Sequence, residues 1–264
     1  MNNLWKKSSR YCRMIVIKKE EEIRKMGKAG AILAEVLDVL EAHAKPGVST
    51  AELDSLAEEL ILSWGGRPSF KGFNGYPASI CASINDEVVH GIPSKKKVLR
   101  EGDLLKLDVG VEFEGYHADG ARTFVVGDGE VDEIVKELIN TTREALERGI
   151  KAARKGARLG DIGYAIQSYV EGKGFSVVKA LTGHGIGRSL WEDPPVPNFG
   201  SKGKGVILRE GMTLAIEPMV NIGDERVYTA GDGWTVKTVD GSLSAHFEHT
   251  IAIMGDGCLI LTRR

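Results

Sequence analysis

The chain has little cysteine, and what it has is poorly placed for cysteine chemistry. Cys12, Cys81 and Cys258 are odd in number and far apart. With no Cys-x-x-Cys spacing, they can neither bind zinc nor run redox chemistry. Unpaired thiols of this kind suit a reducing cytoplasm. Long apolar runs are also missing: none approaches the ~18–20 residues that a membrane helix needs. The stretch Met14-Ile15-Val16-Ile17 is too short for the apolar region of a secretory signal. Nor is one sign of charge in excess, since 35 Lys+Arg face 37 Asp+Glu for a net charge of −2. That balance gives no electrostatic footprint for nucleic acid or an anionic membrane surface.

The sequence does contain enough apolar material for one self-sufficient core. At 264 residues and 42 % hydrophobic content, folding can bury roughly 70–75 % of the unfolded surface. Residues 1–13, with Lys6, Lys7, Arg10 and Arg13, precede any periodic pattern and read as a disordered extension. Met14 is then the effective start, 14–264 a single domain, and transient ribosome contact the alternative use of the basic arm. No exposed seam argues against a monomer.

From Ile23 the apolar positions Met26, Gly30, Leu33, Leu37 and Leu40 recur at helical spacing and stop at Pro46-Gly47. Ser49-Thr50-Ala51-Glu52 is a capping-box signature that opens a second helix running to Gly65-Gly66. The plan then repeats. Ile134, Leu138, Ala145 and Ile150 mark a third helix, and Ile162, Ile166 and Val170 a fourth, closed by Gly172 and Gly174. Strand-forming runs at 104–113, 122–126, 213–216, 234–239 and 250–253 lie between Asp-Gly turns. Helix pair then antiparallel strands, twice over, predicts an α+β domain with helices on one side of a curved sheet.

The halves also echo each other in detail. Arg100-Glu101-Gly102 leads through an apolar run to Asp108, and Arg209-Glu210-Gly211 leads likewise to Glu217. Downstream, His117-Ala118-Asp119 is echoed by His246-Phe247-Glu248. Gly47 to Gly156 and Gly102 to Gly211 are the same interval, 109 residues. Each half thus offers two carboxylates to a shared cleft. A single carboxylate is usually solvated or ion-paired, but four in one cleft repel each other unless cations neutralise them. His184, in what reads as a glycine-flanked loop, is the candidate nitrogen donor. The glycines at 183–187 do not make a phosphate loop, because no helix follows them and Pro194-Pro195 does. An oxygen-rich set with one imidazole suits Mn, Fe(II), Co(II) or Zn. Two such ions roughly 3.5–4 Å apart can share and activate a water and polarise a carbonyl, which points to hydrolysis. Among the other histidines, His43 reads as a surface or packing residue and His117 and His249 as supporting neighbours. His246 shares the face of Glu248.

The segments His90-Gly91-Ile92-Pro93, Leu107-Asp108-Val109-Gly110, Asp119-Gly120-Ala121-Arg122-Thr123, Gly183-His184-Gly185-Ile186-Gly187-Arg188, Ile216-Glu217-Pro218 and Phe247-Glu248-His249-Thr250 resemble type I methionine aminopeptidases, over essentially everything from Met14 onward. The resemblance implies a pita-bread fold of two pseudo-symmetric ααββ halves and a cytoplasmic enzyme with two divalent ions. That enzyme removes the N-terminal methionine of nascent polypeptides when the second residue is small, by attack of a metal-bridging hydroxide. It further implies that Asp108 chelates one ion, that Asp119 and Glu248 bridge both, and that His184 and Glu217 complete the other. Glu217 is then also the general base, and His90 hydrogen-bonds the scissile amide nitrogen. Phe73, Tyr76, Cys81, Leu190, Met219 and Trp234 would line the methionine pocket, whose apolar and sulfur-bearing walls suit a thioether. Type I is preferred over type II because only 31 positions separate Glu217 from Glu248. One position departs from the family pattern: Trp191 stands where a second histidine would donate to the substrate carbonyl. A weakened or respecialised enzyme is one consequence to test. A non-catalytic pita-bread protein that binds peptides or partners is the alternative from another class.

Overall fold

A computed structural model describes residues 15–263 of the chain. The expectations for residues 1–13 and for Met14 lie outside the described residues. The first half begins with helices α1 (Glu20–His43) and α2 (Thr50–Ser63), followed by strands β1 (Arg67–Pro68), β2 (Ile80–Ile84), β3 (Glu87–Val89), β4 (Leu104–Phe113) and β5 (Tyr116–Val125). The second begins with α3 (Glu133–Ala152) and α4 (Leu159–Gly172), followed by β6 (Ser176–Val177), β7 (Thr182–Gly185), β8 (Glu192–Pro197), β9 (Thr213–Ile216) and β10 (Met219–Asn221). It ends with β11 (Val227–Thr229), β12 (Val236–Thr238), β13 (Ser244–His246), β14 (His249–Ile253) and β15 (Cys258–Ile260). No helix among the described residues is long and apolar enough to cross a membrane.

The repeat read from the sequence is a repeat of hydrogen bonds. Ser49 bridges to Val98 and Arg158 to Ile207. Gly47 N–H donates to Leu99 O and Gly156 N–H to Leu208 O, both at 2.9 Å. These glycines, and the pair Gly102 and Gly211, have φ of 93°, 88°, 82° and 82°. A left-handed backbone favours glycine, which is why the interval stands out in the sequence. The second helix of each half opens with a carboxylate three residues in: Glu52 accepts from Ser49 N–H at 2.8 Å and Asp161 from Arg158 N–H at 2.7 Å.

Each half buries its own core beneath its helices. Leu33, Val36 and Leu40 of α1 with Leu53 and Ile61 of α2 pack on Leu105, Leu107 and Val109 of β4. Leu138, Leu146 and Ile150 of α3 with Ile162, Ile166 and Val170 of α4 pack on Leu214, Ile216 and Ile251. Truncating such a buried leucine to alanine costs about 2–5 kcal/mol. Gly30 of α1 passes so close to the C-terminal segment that a Cβ would lie 2.0 Å from Leu261 O.

Four features differ from the sequence reading. The single curved sheet is divided into four hydrogen-bonded ladders. Across the centre, β5 joins the second half through a reciprocal pair, Glu248 N–H to Ala121 O at 3.0 Å and Ala121 N–H to Glu248 O at 3.3 Å. His184 lies on β7, not in a loop. Its flanking glycines admit neighbouring strands: a Cβ on Gly183 would meet Ala215 O at 2.3 Å, and one on Gly185 would meet Asp193 O at 2.2 Å. The prolines that follow sit in β8, at the end of its ladder, where a missing donor is tolerated. Ile134 is exposed and Val135 takes its inward place, one residue along α3. Finally, Asp119 and Glu248 are not equivalent positions. Val126 N–H bonds to Asp103 O as Ile253 N–H bonds to Met212 O, a register that matches Glu248 with Ala121 and Asp119 with His246. Residues two apart on a strand share a face, so the echo identified the face and missed the register.

Candidate metal centre

The cleft forms where the strands of the two halves meet. Asp108 comes from β4 and Asp119 from β5, while Glu217 immediately follows β9 and Glu248 links β13 to β14. Asp108 pairs in register with Ala121, the residue that bonds reciprocally to Glu248, so carboxylates far apart in sequence become neighbours. His184 pairs with Ala215 on β9. Its Nδ1 lies 2.8 Å from Gly185 O. A carbonyl can only accept, so Nδ1 carries the hydrogen and Nε2 keeps its lone pair. Nε2 then lies 3.8 Å from Asp119 Oδ2 and 3.7 Å from Glu217 Oε1. Donor atoms of Asp119, His184 and Glu248 all fall within 4.8 Å of one another.

Four carboxyl groups in a desolvated cleft cannot all ionise unaided. Burial pushes Asp108 up to about 7. Burial holds Asp119 well above the usual carboxylate range, and Glu248 and Asp108 raise it further. Glu217 is raised by burial and then by Asp119 and Asp108, and Glu248 by burial and then by Glu217 and Asp108. His184 moves the other way, to about 4, because burial disfavours its cation. Asp108 Oδ1 and Glu248 Oε1 are buried with no hydrogen-bond partner. Unpartnered carboxylate oxygens beside a neutral imidazole lone pair fit a divalent cation, which would supply the missing positive charge.

The four sequence-selected acids and His184 therefore meet in one cleft. An aromatic wall adjoins it: Trp191 stands 6.1 Å from the His184 ring and packs edge-on against Phe73 at 4.9 Å. Tyr76 meets Trp234 edge-on at 5.1 Å. Phe73, Tyr76, Cys81, Leu190, Trp191 and Trp234 belong to one apolar cluster. Met219 does not. It is fully buried in a separate cluster with Val88, Val178 and Val236, because β10 starts a new ladder after Pro218. His90 is partly buried at a left-handed φ of 59°, and burial lowers its pKa to about 4.

The sequence reading gave no role to the hydroxyls and the amide that clamp the backbone of the centre. The Thr250 hydroxyl donates to Asp119 O at 2.8 Å and accepts from Asp119 N–H at 2.9 Å, clamping the peptide that carries that carboxylate. Its symmetry mate Thr123 holds both backbone groups of His246 in the same way. Thr250 reads as the first residue of a strand-forming run, and nothing local marks its second role. Asn198 donates to Glu217 O at 2.9 Å. The His246 ring nitrogens are buried without partners, and burial, then His90 and Lys106, lower its pKa to about 3.

Comparison with known proteins agrees with this geometry. Residues 24–254 match metallopeptidase family M24. A methionine aminopeptidase of Clostridium acetobutylicum is 52 % identical over 249 residues, covering 94 % of this chain and 99 % of the relative. Methionine aminopeptidase 1 of Bacillus subtilis is 50 % identical over 250 residues, covering 95 % and 100 %. The crystal structure of methionine aminopeptidase from Thermotoga maritima superposes with a TM-score of 0.93 at 49 % identity, covering 95 % of this chain and 100 % of that one. A pita-bread fold, a carboxylate-histidine cluster and near full-length identity converge: the chain belongs to the methionine aminopeptidases of metallopeptidase family M24.

Proposed function

We propose that the chain removes the N-terminal methionine of nascent polypeptides in the cytoplasm, at a centre of two divalent ions, and does so as a monomer. The observation that carries this reading is the convergence of Asp119, His184 and Glu248 beside an aromatic, sulfur-bearing cluster. Asp108 would hold one ion, Asp119 and Glu248 both, and His184 with Glu217 the other. When bound, the ions activate water and polarise the substrate carbonyl. The donor set suits Co, Mn, Fe(II) or Zn.

The chain's own residues supply the rest. Phe73, Tyr76, Cys81, Leu190 and Trp234 enclose the methionine side chain and exclude water from it. Glu217 lies at the cluster edge with its carboxyl raised by burial and neighbours, suited to take a proton and return it to the leaving amine. His90, neutral at physiological pH, holds the scissile amide nitrogen. Trp191, wedged between Phe73 and His184, forms the wall on the side where the family pattern has histidine. Its indole carries the N–H donor of that wall, on the side of the substrate carbonyl.

The test is metal content and peptide turnover on one preparation. Release of methionine from Met-Ala-Ser with metal bound, and poor release from Met-Lys-Ser, is the expected result. Equal rates on both peptides would remove the small-second-residue specificity. Metal and peptide binding without turnover would favour a binding protein on the same fold.

A further inference from the structure

Lys106 is 1 % exposed and is among the largest fully buried side chains of the chain. It lies in β4 two residues before Asp108, on the same strand face. No carboxylate forms an ion pair with it among the described residues. Its Nζ instead donates to two backbone carbonyls, Asn85 O at 2.7 Å and Ser244 O at 3.1 Å. Asn85 O also accepts from Ser244 N–H at 3.2 Å, so the turn at 85, β4 and β13 meet at one point. Burial lowers the lysine to about 7, and either protonation state has the N–H donors these two carbonyls need.

The fold supplies its own control. The equivalent position in the second half is Ala215, against which Gly183 packs so closely that a Cβ would meet Ala215 O at 2.3 Å. The ααββ unit therefore closes without a lysine here, and Lys106 occurs only where the first half abuts β13. An amine sealed away from water without a carboxylate is costly. That cost is explained if the amine sets a geometry rather than adds stability.

We infer that the Lys106 amino group is a positioning strut, tying the strand that leads to Glu248 onto the strand that carries Asp108 so that carboxylates from the two halves reach the same ions. The inference rests on the assignment of Asp108 and Glu248 as metal ligands. It concerns a positioning residue, since Lys106 itself touches neither substrate nor cluster.

Three variants test it through thermal unfolding, Mn²⁺ affinity by chelator competition, and amide hydrogen exchange across 244–248 in the metal-free protein. Lys106→Met should unfold within a few degrees of the parent or above it, as replacement of a buried charge by an apolar isostere often does. Its Mn²⁺ affinity should nevertheless fall about tenfold or more, the scale of lost ligand support, with faster exchange at 244–248. Lys106→Ala should lose the same affinity and regain most of it with propylammonium, which matches the deleted atoms, whereas Lys106→Met should not respond. Parent-like Mn²⁺ affinity in Lys106→Met, or no amine rescue of Lys106→Ala, would overturn the strut. Glu248→Ala measured in parallel separates the failures: if it binds Mn²⁺ like the parent, the ligand assignment itself is wrong and the strut falls with it.

Discussion

Replacing Asp108 with asparagine should make the metal-free protein more stable and the metal-loaded protein relatively less so. Burial raises the Asp108 acid from the usual 3.8 to about 7. At pH 7 the folded, metal-free chain therefore keeps about half a proton that the unfolded chain has released. Stability is present below the unfolded value and is lost as pH rises from about 4 to about 7, by roughly 4 kcal/mol in all. Asparagine never ionises, so this loss disappears. Against it stands an amide facing a site where Asp108 Oδ1 already has no partner, a penalty of about 1–3 kcal/mol. The net gain is about 1–3 kcal/mol, or about 2–10 °C in Tm for a chain of this size. With metal at a thousand times its Kd the parent gains about 4 kcal/mol, and the variant, lacking one carboxylate, gains much less. The order of Tm values should thus reverse between chelated and Mn²⁺-saturated buffer at pH 7. The reasoning is refuted if Asp108→Asn melts below the parent in chelator, or rises as far as the parent on adding metal.

Metal uptake should release protons, because burial and neighbouring acids keep Asp119, Glu217 and Glu248 protonated above the usual range and ions bind the carboxylate form. Mn²⁺ affinity should therefore rise from pH 6 to pH 8, and calorimetry in two buffers of different ionisation enthalpy should show net release; buffer-independent heats would contradict this. Thr250→Val removes both hydrogen bonds to the Asp119 peptide, so urea unfolding should show a loss of about 1–3 kcal/mol. Metal affinity should fall about 10–100-fold, and unchanged affinity would make the clamp a matter of folding alone. Trp191→His should raise kcat/KM on Met-Ala-Ser about tenfold or more if an imidazole aims better at the developing oxyanion. An equal or lower value in steady-state kinetics would make the indole an adapted donor or simply a wall.

Much of this protein is local and so could be read from the chain. Helical spacing of Leu33, Leu37 and Leu40, the capping box at Ser49, and glycines forced to positive φ at 47, 102, 156 and 211 depend on a few consecutive residues. They specified two α+β halves and the interval between them. Asp108 and Glu217 stood out because a carboxylate ending an apolar strand is costly without a partner. Where those carboxylates meet was decided by packing. Strand periodicity assigns a face but not a register, so the true counterpart of Glu248 proved to be Ala121 and that of Asp119 to be His246. The glycines around His184 read as flanking a loop and are instead the thin edges of a strand wedged between neighbours. Met219 suits a methionine pocket by composition, and the change of ladder between β9 and β10 at Pro218 packs it in a separate core. Lys106, inside an otherwise apolar run, acquires its second partner when Ser244 arrives from the other half. Sequence by itself determined the elements, the repeat and the chemical types at the site. Only the tertiary structure decided which of them touch, because contacts between residues more than a hundred positions apart depend on how both halves close over their cores.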